Sequence, residues 1–354
     1  MKLFIHTLRT PDPYALVGFL VAFLVALALG PRIITALRVL KFGQNINEYA
    51  PEGHQKKQGT PSMGGVLLVL SLLLTLGLGC LAAPPLRPVS PALIAVVLVF
   101  VAHAGLGFMD DFLKARRGKS LGLLARQKLA GQVVIALAFV TWLFLTSQPN
   151  FTTQVWAWRD QHVDLGYFYY VLAFFLIIGL SNAANLTDGL DGLAAGLSIF
   201  ALVGLSLTTH LIFPQIPLFG FTLAGTCLGF LWYNSHPARV FMGDTGSLAL
   251  GSSFAVMGIL GKQELLLLLF TVVFLIETAS VMIQVGVFKA TGGRGPDGKD
   301  IGRRIFRMTP IHHHFEKCGW PETHVVARFW ILGILALVLG LVLAPAMYVW
   351  LDNP

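Results

Sequence analysis

Asn185-Leu186-Thr187-Asp188-Gly189-Leu190-Asp191-Gly192 stands between two apolar runs, Val171–Leu180 and Leu193–Leu207, each too apolar for a surface helix. Two carboxylates, an amide and a hydroxyl are thereby placed at the edge of a membrane, where ionisable groups are costly and tend to be functional. Asp188 and Asp191 share a face if the segment is helical. The glycine after each aspartate permits a tight turn or close approach to a ligand. An ordinary capped loop is the plainer alternative, since Asn, Thr and Asp all cap helices well. Recurrence of the same pattern at other span ends weighs against it.

Composition settles the class. Of 354 residues, 55% are hydrophobic and 12% charged. Soluble domains carry about 25% charged residues, so the chain is expected to be an all-α, multi-pass membrane protein. A single integral-membrane domain spans 1–354, because no polar segment is long enough for a soluble one. Cys80, Cys227 and Cys318 are far apart and show neither disulfide nor metal-ligand spacing. The segment Met1–Pro13 lacks a small-residue cleavage site, so no cleaved signal peptide is expected.

A membrane-crossing helix needs about 20 apolar residues. The expected spans are Tyr14–Leu37, Gly64–Ala83, Pro91–Met109, Leu123–Thr146, Tyr167–Ala184, Leu193–Ile212, Leu218–Tyr233, Ser247–Gly261, Leu265–Phe288 and Val325–Trp350. Pro149–Asp164 reads as a small hairpin or loop, and Pro214–Pro217 as a turn. The ninth run exceeds bilayer need and is expected to bend, exposing a groove, although no proline kinks it. Lys and Arg divide unevenly between the two sets of loops. Eighteen, from Arg38 through Lys128 to Lys317, follow the odd-numbered spans; five lie on the other side. That bias places the odd-to-even loops in the cytoplasm and both termini outside. The net charge of +8 is then mostly a topology signal; it also attracts anionic phosphates, and nucleic acid is not an expected partner.

The polar clusters fall on the same side. Asp110 and Asp111 close the third span; Asn185, Asp188 and Asp191 follow the fifth; Asn234 and Asp244 bracket the loop after the seventh; His312, His313 and His314 follow the ninth. Clustered carboxylates without thiol ligands favour a hard cation such as Mg²⁺ or Mn²⁺. Neighbouring Lys and Arg, with the glycine-rich stretch Thr291–Gly298, suit phosphates. Together these groups suit phosphoryl transfer, and a site at the membrane edge suggests a lipid-borne phosphate. The residues alone do not reach a sugar. Zinc is disfavoured, because adjacent histidines diverge on a regular element and no His-Glu-x-x-His occurs. Phosphate hydrogen bonding, or proton transfer by one histidine, fits better.

Several segments, in order along nearly the whole chain, resemble the phospho-N-acetylmuramoyl-pentapeptide transferases of the polyprenyl-phosphate N-acetylhexosamine-1-phosphate transferase superfamily. They are Pro51–Lys57 with Thr60-Pro61-Ser62-Met63-Gly64-Gly65, Gly107–Asp111, Asn182–Ala194, Phe230–Asn234 with Phe241–Ser247, Glu277–Gln284, and Thr309-Pro310-Ile311-His312-His313-His314-Phe315-Glu316. The stretches Thr60-Pro61-Ser62-Met63-Gly64-Gly65 and Pro310-Ile311-His312-His313-His314-Phe315-Glu316 are the most specific and point to the muramyl branch. The superfamily's Asp-Asp-x-x-Asp motif has Lys114 in its fifth position here, as in that branch, and Ser62 stands where Thr is usual.

The resemblance implies transfer of phospho-MurNAc-pentapeptide from UDP-MurNAc-pentapeptide to undecaprenyl phosphate, giving lipid I and UMP with Mg²⁺. It also implies ten spans in the bacterial inner membrane, a cytoplasmic cleft and a homodimer. Asp244, following a glycine at a span start, becomes the expected Mg²⁺ ligand, with helix capping its alternative role. Asp110 is the expected base for the lipid phosphate; a covalent nucleophile there is the rival scheme. Asp111 is expected to support the metal or a lysine. Lys57, Ser62, Lys114 and Lys128 are candidate phosphate or substrate contacts. Asn185, Asp188, Asp191, Asn234 and Phe241 resemble the nucleotide-binding set, with Phe241 stacking on uracil. Gln284, His312, His313 and His314 close the sugar-phosphate side, His312 aiding proton transfer. Glu277, buried in the ninth span, reads as a paired structural acid. A sister transferase using another UDP-sugar, and a transporter, are the competing classes. The transporter is disfavoured because the acids sit at span ends rather than at the bilayer midplane.

Overall fold

The computed structural model describes residues 13–40, 59–82, 89–117, 122–146, 153–158, 161–209, 215–294 and 300–347. Helices occupy all ten expected span positions: α1 (Pro13–Val39), α2 (Gly65–Ala82), α3 (Pro91–Arg117), α4 (Ala125–Thr146), α5 (Phe168–Thr187), α6 (Leu193–Thr209), α7 (Ile216–Asn234), α8 (Gly243–Leu260), the pair α9 (Glu264–Phe270) and α10 (Val272–Thr291), and α12 (Glu322–Met347). A short α11 (Ile311–Lys317) carries the three histidines. Among the described residues, seven helices are long and apolar enough to cross a membrane; α2 and α6 contain shorter apolar stretches. The expected hairpin is present as β1 (Gln154–Trp158) paired antiparallel with β2 (Gln161–Asp164). A smaller ribbon joins β3 (Gly293–Arg294) to β4 (Asp300–Ile301).

The bundle is built around α8. Its residues Thr245 to Leu260 are all buried, and α2, α3, α5, α6 and α9 pack on it. Small residues make this possible. A Cβ on Gly107 of α3 would lie 2.1 Å from the Asp244 carbonyl oxygen, and one on Gly65 would lie 2.2 Å from the Gly246 nitrogen. Close approach through small residues is how helices associate in lipid, where apolar burial alone drives nothing. Several buried hydroxyls answer to their own helices: Ser198, Ser206, Thr226 and Ser253 each donate to the carbonyl four residues back. No bilayer water is available for that purpose. Outside, Leu20, Leu98, Phe175, Met282 and Leu335 stand exposed, as a lipid-facing surface requires.

Several helix boundaries differ from expectation. The fifth span runs on to Thr187 and the eighth starts at Gly243, so Asn185 and Asp244 are helical. Two further differences are larger. The third span continues past Met109 to Arg117, so Asp110, Asp111 and Lys114 are helical. Its last turn holds Lys114, Arg116 and Arg117, the charge that a helix C-terminus favours. The ninth span is interrupted at Thr271 (φ −104°, ψ 14°), which ends α9 and precedes α10. The expected bend is therefore a joint between two helices. Both the Thr271 hydroxyl and its backbone N–H donate to the Leu267 carbonyl there.

Replacing Gly107 by Val should wedge α3 from α8 and cost about 1–3 kcal/mol, as overpacking does. Gly77→Ala, whose new methyl meets nothing within 4 Å, should be neutral or slightly stabilising. Thermal unfolding of both variants in detergent measures the difference.

Candidate functional site

One end of the bundle gathers the chemically active groups. The opposite end carries the hairpin and a buried cluster of Tyr169, Lys262 and Glu264, in which the Lys262 Nζ–Glu264 Oε1 distance is 2.9 Å. At the active end, α3 supplies Asp110, Asp111 and Lys114, and α4 supplies Lys128. The last turn of α5 supplies Asn185, the residue just beyond that helix is Asp188, and the start of α8 supplies Asp244. Oxygens of Asp110, Asp111 and Asp244 lie within 4.8 Å of one another.

Asp244 is the hub. Its Oδ2 accepts from Lys114 Nζ at 3.0 Å and from Lys128 Nζ at 2.9 Å, and its Oδ1 accepts from Asn185 Nδ2 at 2.8 Å. Asn185 also donates to Ser247 Oγ at 2.9 Å and accepts from Lys128 at 3.0 Å. Lys114 Nζ reaches Asp110 Oδ2 at 2.5 Å, the i,i+4 partner on its own helix. Asp110 Oδ1 accepts the Leu123 N–H at 2.6 Å, tying the loop before α4 to α3.

Asp111 has a different task. It accepts the Asp244 N–H at 3.1 Å, the Thr245 N–H at 2.9 Å and the Thr245 hydroxyl at 2.7 Å. It therefore caps α8 from another helix. The cap position of α8, Met242, provides no side-chain bond of its own. Gly243 permits this contact: its φ is +72°, and a Cβ there would meet Asp111 Oδ2 at 2.5 Å. Asp244 accordingly does not cap its helix but projects to the lysines.

Asp188, just beyond α5, adjoins the same cluster. Burial, with anionic Asp244 and Asp111 nearby, pushes its carboxyl up to about 8. The Ser62 segment is zipped onto the stretch before α8. Phe241 N–H donates to the Pro61 carbonyl at 2.8 Å; Gly64 and Gly65 N–H groups donate to the Phe241 and Met242 carbonyls, each at 2.8 Å. Ser62 and Phe241 are thus neighbours along one backbone pairing. Lys57 lies outside the described residues.

Asp191 and Asn234 hold loops together. Asp191 Oδ2 accepts the Ala238 N–H and contacts His236 Nδ1, both at 3.0 Å, while its own N–H donates to Glu322 Oε1 at 2.8 Å. Asn234 accepts the Gly192 N–H at 3.1 Å and donates to the Val240 carbonyl at 2.9 Å. Asp191, His236 and Glu322 form a second group with metal-ligand spacing. Gln284 binds backbone, its Oε1 accepting the Ile305 and Phe306 N–H groups at 3.0 Å and its Nε2 donating to the Phe306 carbonyl at 3.2 Å.

The three histidines diverge as consecutive helical residues must. His312 is fully buried, its Nδ1 3.1 Å from Glu277 Oε2. His313 Nδ1 faces Glu316 Oε2 at 2.7 Å. His314 Nδ1 accepts the Arg307 N–H at 3.1 Å. Only His312 reaches the turn after α5, where a Cβ on Gly189 would lie 2.3 Å from its Nε2. The partners missing from the sequence reading are Thr245, Ser247, His236 and Glu322. The first two carried a signal in Gly-Asp-Thr-Gly-Ser, a helix start with no cap residue before it.

Known proteins resemble this chain over nearly its whole length. A profile described as glycosyl transferase family 4 matches residues 93–262, and one described as phospho-N-acetylmuramoyl-pentapeptide-transferase signature 1 matches residues 57–69. A curated relative from Oceanobacillus iheyensis is 42% identical over 94% of this chain and 98% of its own length. Those from Bacillus subtilis and Bacillus thuringiensis are 43% and 44% identical, each over 91% of this chain and 95% of their own. All three bear the name phospho-N-acetylmuramoyl-pentapeptide-transferase.

Asp111→Ala should remove the cap of α8 and cost about 0.5–2 kcal/mol, seen as a lower unfolding midpoint in detergent. A second outcome concerns pH. Folded Asp188 keeps its proton up to about 8, whereas an unfolded aspartate gives it up near 3.9. The folded state binds more protons in between, so this group's contribution to stability falls as pH rises from about 4 to about 8. Asp188→Asn should flatten the midpoint against pH over that window, measured with EDTA present.

Proposed function

The chain belongs to the phospho-N-acetylmuramoyl-pentapeptide transferase family, and from that premise we propose how the polar end of the bundle makes lipid I. Phospho-MurNAc-pentapeptide passes from UDP-MurNAc-pentapeptide to undecaprenyl phosphate. An oxygen of the lipid phosphate bonds to the sugar-bearing phosphorus. The bond from that phosphorus to the bridging oxygen breaks, and its electron pair leaves with UMP. The observation that supports this most strongly is the convergence of Asp110, Asp111 and Asp244 with Lys114 and Lys128 at one end of an apolar bundle.

Lys114 and Lys128 hold phosphate oxygens, as ammonium groups beside an anionic site do; Lys57 extends that set. Asp110 orients the lipid phosphate and takes any proton it carries. A phosphate monoester is already largely anionic at neutral pH, so direct attack needs no covalent enzyme intermediate. Mg²⁺ suits the donor set, three hard carboxylates with oxygens within 4.8 Å of one another. Asp244 would be its principal ligand, and bound Mg²⁺ would neutralise charge on the diphosphate. Asn185 and Asp188 line the nucleotide side with Phe241, whose ring stacks on uracil. Asp191 and Asn234 fix the loops that present it. Ser62, beside Phe241, contacts substrate; His312, His313, His314 and Gln284 lie toward the sugar phosphate. The Lys/Arg bias supports an inner-membrane orientation with this end cytoplasmic and both termini outside. A homodimer is the proposed assembly.

Purified protein in detergent, given undecaprenyl phosphate, Mg²⁺ and UDP-MurNAc-pentapeptide, should release UMP. UDP-N-acetylglucosamine should release none. Asp244→Asn or EDTA should cut the rate by about 10²-fold or more, the scale of losing transition-state charge stabilisation. UMP from N-acetylglucosamine alone would move the protein to a sister branch.

A further inference from the structure

Glu277 is a fully buried carboxylate inside α10 that the transfer chemistry leaves unused. A charge at membrane depth persists only with a partner or a function. Its Oε2 lies 3.1 Å from His312 Nδ1 and accepts the His312 N–H at 3.4 Å. Three polar atoms of this pair are buried without a hydrogen bond, Glu277 Oε1, His312 Nδ1 and His312 Nε2, so the 3.1 Å approach of Nδ1 to Oε2 is a charge contact rather than an aligned hydrogen bond. His312 Nε2 is the atom pressed against Gly189, in the turn that follows Asp188. The imidazole is therefore wedged between a carboxylate on one side and the polar turn on the other, and only glycine at 189 leaves it room.

We propose that Glu277 is a positioning residue for the transfer: its carboxylate fixes the His312 ring so that Nε2 faces the Asp188–Gly189 turn with its tautomer set. A carboxylate beside Nδ1 favours the proton on that nitrogen and leaves Nε2 for the other side, as orienting carboxylates do for histidines elsewhere. The proposal rests on the function given above, and it acts through His312, not on substrate.

The test is a double-mutant cycle in detergent with UMP release as readout. Glu277→Gln should lower kcat by about tenfold or more with KM for the nucleotide sugar changed less than about threefold. Glu277→Asp should restore part of the rate. Glu277→Gln/His312→Gln should be no slower than His312→Gln alone, because both changes remove one unit. Full activity in Glu277→Gln, or losses that multiply in the double variant, would overturn the proposal. Histidine ring ¹⁵N spectra supply a readout independent of turnover. The His312 proton should sit on Nδ1 in the starting protein and shift toward Nε2 in Glu277→Gln. Unchanged spectra would also sink it. Absence of UMP from the unsubstituted protein, with the tautomer shift intact, would instead count against the proposed function.

Discussion

The first N–H groups of α8 find their acceptor on another helix: the Asp111 carboxylate of α3 takes the Asp244 and Thr245 N–H groups and the Thr245 hydroxyl. A helix start buried in a membrane protein has no water to turn to. The partial positive charge at that start also favours an anion beside it. This one contact fixes the end of the central helix, and thereby the direction in which Asp244 leaves it. Gly107 and Gly243 exist at those positions because the contact demands that two backbones and a carboxylate share very little space.

With Asp244 fixed, charge arranges the rest. Three carboxylates stand among two ammonium groups, and both ammonium groups lie on the same Asp244 oxygen. Asp110 is steadied by Lys114 and by the Leu123 N–H, so neither carboxylate of the Asp110–Asp111 pair is free to drift. The cluster keeps an excess of negative charge that a divalent cation would reverse in sign, which is what a diphosphate requires of its site. Lysines suit this better than arginines would: an ammonium is a compact point charge on a flexible stem and can exchange one anionic partner for another.

The spans were legible because apolar length is a strong signal in a chain with so few charges. Their ends were less so. Asp110 and Asp111 look like the close of a span, yet α3 runs on to Arg117 because its acids find partners and its last turn is basic. The joint at Thr271 carries no proline or glycine, and its hydroxyl bond to the Leu267 carbonyl is of a kind that continuous helices here also make, so the sequence carries no breaker signal for it. That Asp110, Lys114, Lys128, Asn185 and Asp244 would gather into one polar cluster was visible, since all are polar residues beside apolar runs. The division of labour was not. Whether Asp111 or Asp244 caps α8 depends on a contact between residues 134 apart in sequence. That Asp191 and Asn234 grip backbone depends on the path of the 235–242 loop.

The stretch 185–192, the end of α5 and the turn that follows it, is where these constraints meet. Asn185 joins it to α8, Asn234 joins it to the end of α7 through Gly192, and Glu322 joins it to the start of α12 through Asp191. His312 presses on it at Gly189 from α11. Four elements distant in sequence thus hold eight residues from different sides, so the turn has little freedom of its own. A site that must stabilise charge during phosphoryl transfer benefits from groups already in place, because dipoles that need not reorganise stabilise most. The glycines at 189 and 192 serve that rigidity rather than flexibility: one admits a histidine ring, and the other takes a φ of +79° to turn the chain into α6.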